Sequence, residues 1–471
     1  MIDPRDIQDL AVAISLAPNV VEKDYVLGWL LAGIGNDGAL GSGWVFKGGT
    51  CLKKVHFETY RFSEDLDFTV RDPESLKEEL LLERFASVSK WIYEQSGVVI
   101  LQDQSRFDVY RNPRGNLSVE GRVYYRGPLR GPRNAPKIKL DLTSDEVLVL
   151  EPERRRVNHP YDDDPAEGIH VTCYAYAEIF AEKTRALQER GRPRDLYDVV
   201  NLFRREDTRG LLAEVRAVLV EKCKFKGIAP PTLASISVYK VELEKLWGQM
   251  LSHQLPMLPP FESFWRELPA FFDWLEGKTT PVERRAFPLA TGDEVIRAPL
   301  GGLGWIGRSS RALESIRFAA TNHLVVELEY VDESGVRARR LIEPYSLRRT
   351  RAGEVLLHAE RADGSGHRSY RVDRIIDARA SDQSFVPKDV IELAPGGFGE
   401  VRIATGALRS TSRRTVRSTG KPTGPRYVYE CTRCQRRFVK RKRDSTLRPH
   451  QNKAGGKCLG RVGVYRETRL S

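Results

Sequence analysis

The sequence predicts an α+β chain of several domains. Over the first 275 residues, apolar runs with the two-residue alternation of strands are interleaved with helical stripes. Gly and Pro then punctuate residues 277 to 308, and short strands separated by hairpin-like turns follow. At 471 residues the chain also exceeds what one ordinary core encloses, which suggests two to four domains.

Residues 5 to 35 read as helix, with Leu10, Ile14 and Val21 in its apolar stripe and a break near Pro18-Asn19. Trp44-Val45-Phe46 begins the first strand of a sheet, Gly48-Gly49 makes a turn, and a short helix starts near Thr50. A strand through Asp65 and Phe68 follows, then an amphipathic helix over 75 to 95. Residues 98 to 101, 117 to 125 and 137 to 142 read as strands, with an Arg- and Gly-rich loop at 126 to 136. Helices are predicted over 172 to 190 and 193 to 203, and helical patterning continues to about residue 276. Beyond the punctuated stretch come a short helix at 311 to 318 and strands at 324 to 330, 337 to 342, 355 to 360 and 369 to 377. These join through turns at 332 to 335 and 363 to 366. The predicted domains are 1 to 275, a linker 276 to 310, a small β domain 311 to 380, a flexible Ser-, Thr-, Gly- and Arg-rich linker 381 to 425, and a basic module 426 to 466.

The net charge of +12 is unevenly spread. Residues 401 to 471 hold 20 Lys and Arg against 3 acids, or +17, which leaves −5 for residues 1 to 400. Such a basic block suits a polyanion, and nucleic acid is the obvious one. The first 16 residues carry acids where an export signal needs a basic start, and the apolar run 26 to 34 is too short to span a bilayer. The expectation is a cytoplasmic protein with no membrane partner. Cys51, Cys173 and Cys223 read as isolated, small buried residues, whereas Cys431, Cys434 and Cys458 crowd one end.

In a strand, Asp65 and Asp67 project from one face while Leu66 and Phe68 turn to the other. Two adjacent carboxylates repel unless a cation sits between them, and Mg²⁺ accepts such oxygens together with substrate phosphates. Gly48 and Gly49 let backbone approach a phosphate, and the short helix from Thr50 aims free N–H groups at it. Asp141, charged on an apolar strand, is the natural third ligand; an acid paired with Lys139 is its structural alternative. Lys183 lies on a helix face with Ile179 and Leu187, either reaching a triphosphate or pairing with a neighbouring acid. Asp195 and Asp198 share a helical face. Asp195 suits a capping role beside Pro193, whereas Asp198 is expected to orient Lys183 or an Arg, with Arg190 and Arg194 as phosphate or acceptor contacts.

Several segments resemble the AbiEii/AbiGii-type toxin nucleotidyltransferases of bacterial type IV toxin–antitoxin systems. They are Val21-Glu22-Lys23-Asp24-Tyr25, Phe46-Lys47-Gly48-Gly49-Thr50, Arg61-Phe62-Ser63-Glu64-Asp65-Leu66-Asp67-Phe68, Lys137-Ile138-Lys139-Leu140-Asp141, Glu182-Lys183-Thr184-Arg185 and Arg190-Gly191-Arg192-Pro193-Arg194-Asp195-Leu196-Tyr197-Asp198. The resemblance implies a polymerase-β-like nucleotidyltransferase core with a helical C-terminal part. Asp65, Asp67, Asp141, Lys183 and Asp198 would be catalytic, and Gly48, Gly49, Thr50, Ser63, Lys183, Arg190 and Arg194 would bind nucleotide. It further implies Mg²⁺ on Asp65, Asp67 and Asp141, an NTP substrate, a cognate antitoxin, and an RNA acceptor such as the tRNA 3′ end. A nucleic-acid-binding regulator with a scaffold transferase domain, or transfer onto a small molecule such as an antibiotic, are the alternative functions.

Residues 311 to 380 resemble a WYL-type domain, an SH3-like β-barrel, through Ile342-Glu343-Pro344-Tyr345-Ser346-Leu347 and Ser369-Tyr370-Arg371-Val372-Asp373-Arg374. The naming Trp-Tyr-Leu tripeptide is replaced by Val355-Leu356-Leu357. Arg340, Tyr345, Arg371 and Arg374 form either an anionic-ligand pocket or ordinary surface charges. Cys431-x₂-Cys434 followed by His450 and Cys458 offers the four ligands of a structural Zn²⁺ site, set in a module dense with Arg and Lys.

Overall fold

The computed structural model describes residues 1–57, 61–129, 134–278, 294–296, 308–393, 426–440, 445–447, 450–451 and 457–469. The chain divides into two compact units, Met1–Glu400 and Val401–Ser471.

In the first unit α1 (Pro4–Ala13) starts from an Asp3 capping box closed by Asp6. Its successor α2 (Pro18–Asn36) starts at a Pro, as the break in the sequence predicts, and is buried almost all round from Val21 to Ile34. After α3 (Gly38–Gly43) comes β1 (Trp44–Lys47), which passes directly into α4 (Gly48–Cys51) and a single π-type turn, Leu52–His56. The sheet continues with β2 (Asp65–Val70), then α5 (Glu78–Ser96), β3 (Val99–Ile100), β4 (Arg106–Arg111), β5 (Leu117–Arg126), β6 (Lys137–Thr143), β7 (Glu153–Arg156) and β8 (His170–Cys173). Among the described residues it has eight strands in the order β3-β5-β6-β2-β1-β8-β7, with β4 beside β5. The pairs β2/β6 and β1/β8 are parallel, and the other named pairs are antiparallel.

A helical layer follows: α6 (Tyr176–Arg190), α7 (Pro193–Arg204), α8 (Leu212–Lys226), α9 (Leu233–Ser237), α10 (Lys240–Leu251), α11 (Phe261–Trp265) and α12 (Leu268–Leu275). Its core is aromatic, with Phe180 stacked on Trp274 and Tyr197 on Phe264. The helix predicted from residue 172 begins only at Tyr176. Residues His170–Cys173 are the strand β8, whose Val171 and Cys173 face inward while the backbone of Tyr174 bonds Phe46 O.

Next α13 (Arg308–Thr321) packs on an antiparallel sheet of β9 (Glu294–Val295), β10 (Leu324–Val331), β11 (Arg337–Arg349), β12 (Val355–Arg361), β13 (His367–Arg371) and β14 (Ile375–Ser384). The run predicted as one strand over 369 to 377 is split by the 3-10 turn Val372–Arg374. The linker read as starting at 381 begins later than that. β14 runs to Ser384, Phe385, Ile391 and Leu393 are buried, and Glu392 and Leu393 bond the carbonyl of Tyr345. Likewise β9, inside the predicted linker 276 to 310, pairs with β11 through Arg348↔Val295. The remainder of both linkers lies outside the described residues.

In the second unit β15 (Arg426–Cys431), β16 (Arg437–Lys440) and β19 (Gly463–Arg469) form a three-stranded sheet, and β17 (His450–Gln451) pairs with β18 (Lys457–Cys458). Its small core is Tyr429, Cys431, Leu447 and Cys458.

Candidate active site

Partners in adjacent strands project from the same face, so sheet register decides which charges meet. Lys47 on β1, Asp67 on β2, Asp141 on β6 and Glu120 on β5 stand in one row across four strands. Two residues along, Asp65 stands beside Lys139, which stands beside Arg122. The side chains of Leu66, Phe68, Leu140 and Leu142 are buried behind this face, so the apolar half of each strand anchors the charged half.

Burial pushes the Asp67 carboxyl up to about 6, with the charge of Asp141 adding to the effect and Lys47 and Lys183 opposing it. Asp65 is also shifted upward, first by burial. Asp141 stands in register with Asp67, and its Oδ1 lies 3.2 Å from Lys139 Nζ, the pairing given as its structural alternative. Among the described residues, the groups whose donor atoms all close within 4.8 Å of one another are two cysteine clusters, so the three aspartates stand wider than that. The donor set is nonetheless of the hard-oxygen kind that suits Mg²⁺, with negative charge that burial leaves under-compensated.

The chain reverses over this row at Gly48, whose φ of +80° lies in the left-handed region. A Cβ at Gly48 would collide with the Asp67 carboxylate, and one at Gly49 with the Arg61 guanidinium. Thr50 donates its hydroxyl to the carbonyl of Asp65, tying the turn to β2. Ser63 is half-buried just ahead of β2.

Lys183 on α6 reaches Asp198 Oδ2 at 2.7 Å and Asp195 Oδ1 at 3.6 Å. Asp198 has two cationic partners. Arg61 Nε and Nη2 donate to its Oδ1 and Oδ2, both at 2.8 Å, and Arg61 Nη1 donates to Gln254 Oε1 at 3.1 Å. Burial would raise the Asp198 carboxyl, but Arg61 and Lys183 hold it well below the usual carboxylate range. Asp195 lies in the first turn of α7, and its carboxylate accepts a bidentate pair from Arg190 at 2.7 and 2.8 Å. Arg194 donates to Met250 O at 3.4 Å, and burial pushes its guanidinium down.

Sequence reasoning assigned no role to Arg61, Lys47, Glu146 or Glu182. Lys47 lies 3.4 Å from Glu182 and 3.7 Å from Glu146, so Asp67's neighbour is held by carboxylates from two other segments. The signal for Arg61 was its place in the motif itself. Cys51 and Cys173, read as isolated, come together with His56 in a buried cluster beneath the Gly48–Cys51 turn.

In the second unit, Cys431, Cys434 and Cys458 converge, with Cys431 Sγ 3.8 Å from Cys458 Sγ. That separation suits two thiolates on one tetrahedral metal at about 2.3 Å each. Gly460 N donates to Cys458 Sγ at 3.3 Å. The backbone of His450 pairs with Cys458, while its side chain lies outside the described residues. In the small β domain, Tyr345 is fully buried, Arg371 pairs with Glu354 and Asp373, and Arg374 pairs with Glu333. Arg371 and Arg374 are therefore paired as the surface-charge alternative has them, Tyr345 is a core residue and fits neither alternative, and Arg340 has a buried Nε without a hydrogen-bond partner.

A mixed sheet bearing a carboxylate row beside a glycine turn, backed by a helical layer with a buried Lys–Asp pair, belongs to a nucleotidyltransferase. The family comparison agrees: the chain is a member of the AbiEii family, nucleotidyl transferase toxins of type IV toxin–antitoxin systems, whose sequence model matches residues 29–276, more than half of the chain. A WYL domain matches residues 311–380. Family membership implies a nucleotide substrate and a cognate antitoxin. Among solved structures, MenT4, a nucleotidyltransferase toxin of Mycobacterium tuberculosis H37Rv, is similar at 20% identity over 59% of this chain and 90% of its own, with a TM-score of 0.39. An H. pylori protein assigned as a nucleotidyltransferase is 15% identical over 56% of this chain and 99% of its own, with a TM-score of 0.35. Proteasome accessory factor B/C of Arthrobacter aurescens is 17% identical over 55% of this chain and 40% of its own, with a TM-score of 0.16. No curated protein matches the chain. Among the described residues, no helix is long and apolar enough to cross a membrane.

Proposed function

We propose that the chain uses Mg²⁺ to move a nucleotide from an NTP onto RNA, with the tRNA 3′ end as the acceptor. The observation that carries this reading is Asp67, set in register between Lys47 and Asp141 under the bare backbone of Gly48. Asp65, Asp67 and Asp141 would hold Mg²⁺, which when bound neutralises charge on the transferring phosphoryl group. Gly48, Gly49 and Thr50 let the triphosphate approach the backbone, with Ser63 alongside. Lys183, fixed by Asp198, supplies a point charge to the triphosphate, and Arg190 and Arg194 serve phosphate or acceptor. An acceptor hydroxyl aligned behind the α-phosphorus then attacks in line, the bond to the β-phosphate breaks, and pyrophosphate leaves.

In the same reading residues 1 to 275 are the transferase domain and residues 426 to 466 a basic module that Zn²⁺ holds through Cys431, Cys434, Cys458 and His450. The segments about 276 to 310 and 394 to 425 join the parts. The basic module grips RNA by its phosphates, as the +17 charge of residues 401 to 471, which contain it, suggests. The protein acts in the cytoplasm. The test is transfer of label from each α-labelled NTP to total RNA with Mg²⁺ and with chelator. Label entering tRNA-sized RNA only with Mg²⁺ supports the reading; label entering only small molecules overturns it.

A further inference from the structure

The WYL domain and the transferase helices meet on the helix that carries Asp195 and Asp198. Along α7, Asp195 and Asp198 share the face toward Lys183, while Tyr197 and Arg204, two turns apart, share another face. Tyr197 is fully buried, its ring stacked on Phe264 at 5.1 Å, and its hydroxyl donates at 2.8 Å to Oδ1 of Asn322, the residue that follows α13. Asn322 is itself buried and its Nδ2 donates to Phe318 O at 2.9 Å, so the acceptor oxygen is aimed by the end of α13. Seven residues on, Arg204 Nη1 donates to Thr321 O at 3.2 Å, satisfying one of the carbonyls a helix end leaves open. Arg204 also donates to Glu267 Oε1 from Nε and Nη2 at 3.0 and 2.7 Å, and His323 Nδ1 lies 3.5 Å from the same oxygen.

The α13 end is held in a conformation that costs energy. His323 has φ of 54°, a left-handed backbone that a non-glycine residue seldom adopts. Its carbonyl accepts from Phe385 N at 2.9 Å, and the Phe385 ring packs 5.8 Å from that of Tyr345 in the core of the small β domain. Packing and hydrogen bonds therefore link the small β domain, through Phe385 and residues 321 to 323, to α7, and Asp198 is the next residue after Tyr197.

We propose that Tyr197 and Asn322 are positioning residues, through which the WYL domain sets the placement of α7 and so the grip of Asp198 on Lys183. This rests on the assignment of Lys183 to the triphosphate made above. A buried pair that merely stabilises the chain would not couple to Lys183, so the test is a double-mutant cycle on nucleotide affinity. A fluorescent NTP analogue is titrated into the full chain, Tyr197→Phe, Lys183→Ala and the double variant, with thermal unfolding followed for each. Tyr197→Phe keeps the stacked ring and removes only the hydroxyl. Its expected effect is NTP binding weakened about three- to tenfold in the otherwise natural chain, and no further weakening once Lys183 is gone. Asn322→Ala, which cuts the same bond from the other side, is expected to give the same pattern.

An equal loss in both backgrounds, or unchanged affinity in both Tyr197→Phe and Asn322→Ala, overturns the proposal. Wild-type affinity in Lys183→Ala alone shows instead that the assignment of Lys183 has failed, and the relay falls with it for a distinguishable reason.

Discussion

At the level of single residues, Asp67 has a base on one side, Lys47, and an acid on the other, Asp141, and this placement follows from strand register alone. Removing the carboxylate of Asp65 or Asp67 leaves no core cavity, because the apolar residues lie on the opposite face. Asp65→Ala and Asp67→Ala are therefore expected to lower transfer by at least about 100-fold with little change in melting temperature. Activity near wild type would show that these are not metal ligands. Gly48→Ala is expected to fail differently, since a Cβ meets the Asp67 carboxylate and φ is +80°. It should cost about 1 kcal/mol or more of stability as well as activity, read by denaturant unfolding alongside the transfer assay. Arg61→Ala leaves Asp198 with one cation fewer in a buried site and is expected to cost roughly 3 to 5 kcal/mol. Arg61→Lys should recover little, because a lysine cannot reproduce the bidentate fork, and unfolding of the two variants side by side checks this. The sequence made Asp65 and Asp67 legible because alternation in a strand is local. Arg61 stood in a motif that was read, but its partner Asp198 lies 137 residues away, and no local pattern reports such a pairing.

Among secondary-structure elements, those with apolar periodicity were legible and those without it were not. β1, β2, β5, β6, α5 and α7 fall where the sequence places them to within a few residues. β4 and β7 read Arg-Phe-Asp-Val-Tyr-Arg and Glu-Arg-Arg-Arg, edge strands whose charges hide the alternation. β8 was absorbed into the helix that follows it because only Pro or Gly would have marked the break, and neither is there. The Cys431 to Cys458 element is legible from spacing, since its core of Tyr429, Cys431, Leu447 and Cys458 is too small to fold unaided. Chelation or Cys431→Ser is expected to unfold residues from about 427 to 465 while NTP binding by the first unit persists. Metal analysis together with proteolysis of the tail checks this, and a natural chain that holds no zinc after careful purification would contradict it.

For the whole molecule, charge and chemistry are divided between two compact units: the carboxylate row and the residues proposed to contact nucleotide lie in the first, and the +17 segment makes up the second. If the second unit holds RNA by its phosphates, RNA affinity should fall steeply as salt rises, and removal of residues 426 to 471 should flatten that dependence. An unchanged salt slope in the shortened chain would remove the tail from the account. This division was legible as composition, whereas the contact of the WYL domain with α7 was not, because Tyr197 and Asn322 lie 125 residues apart and each reads as an ordinary buried polar residue. The central claim is nucleotidyl transfer to RNA, and its most direct measurement follows the two ends of one nucleotide. Purified tRNA is incubated with the chain, Mg²⁺ and an NTP labelled at either the α- or the γ-phosphate. The account predicts α-label retained in tRNA, γ-label released as pyrophosphate, and neither outcome with Asp67→Ala; γ-label entering the RNA, or α-label never leaving the small-molecule pool, would contradict it.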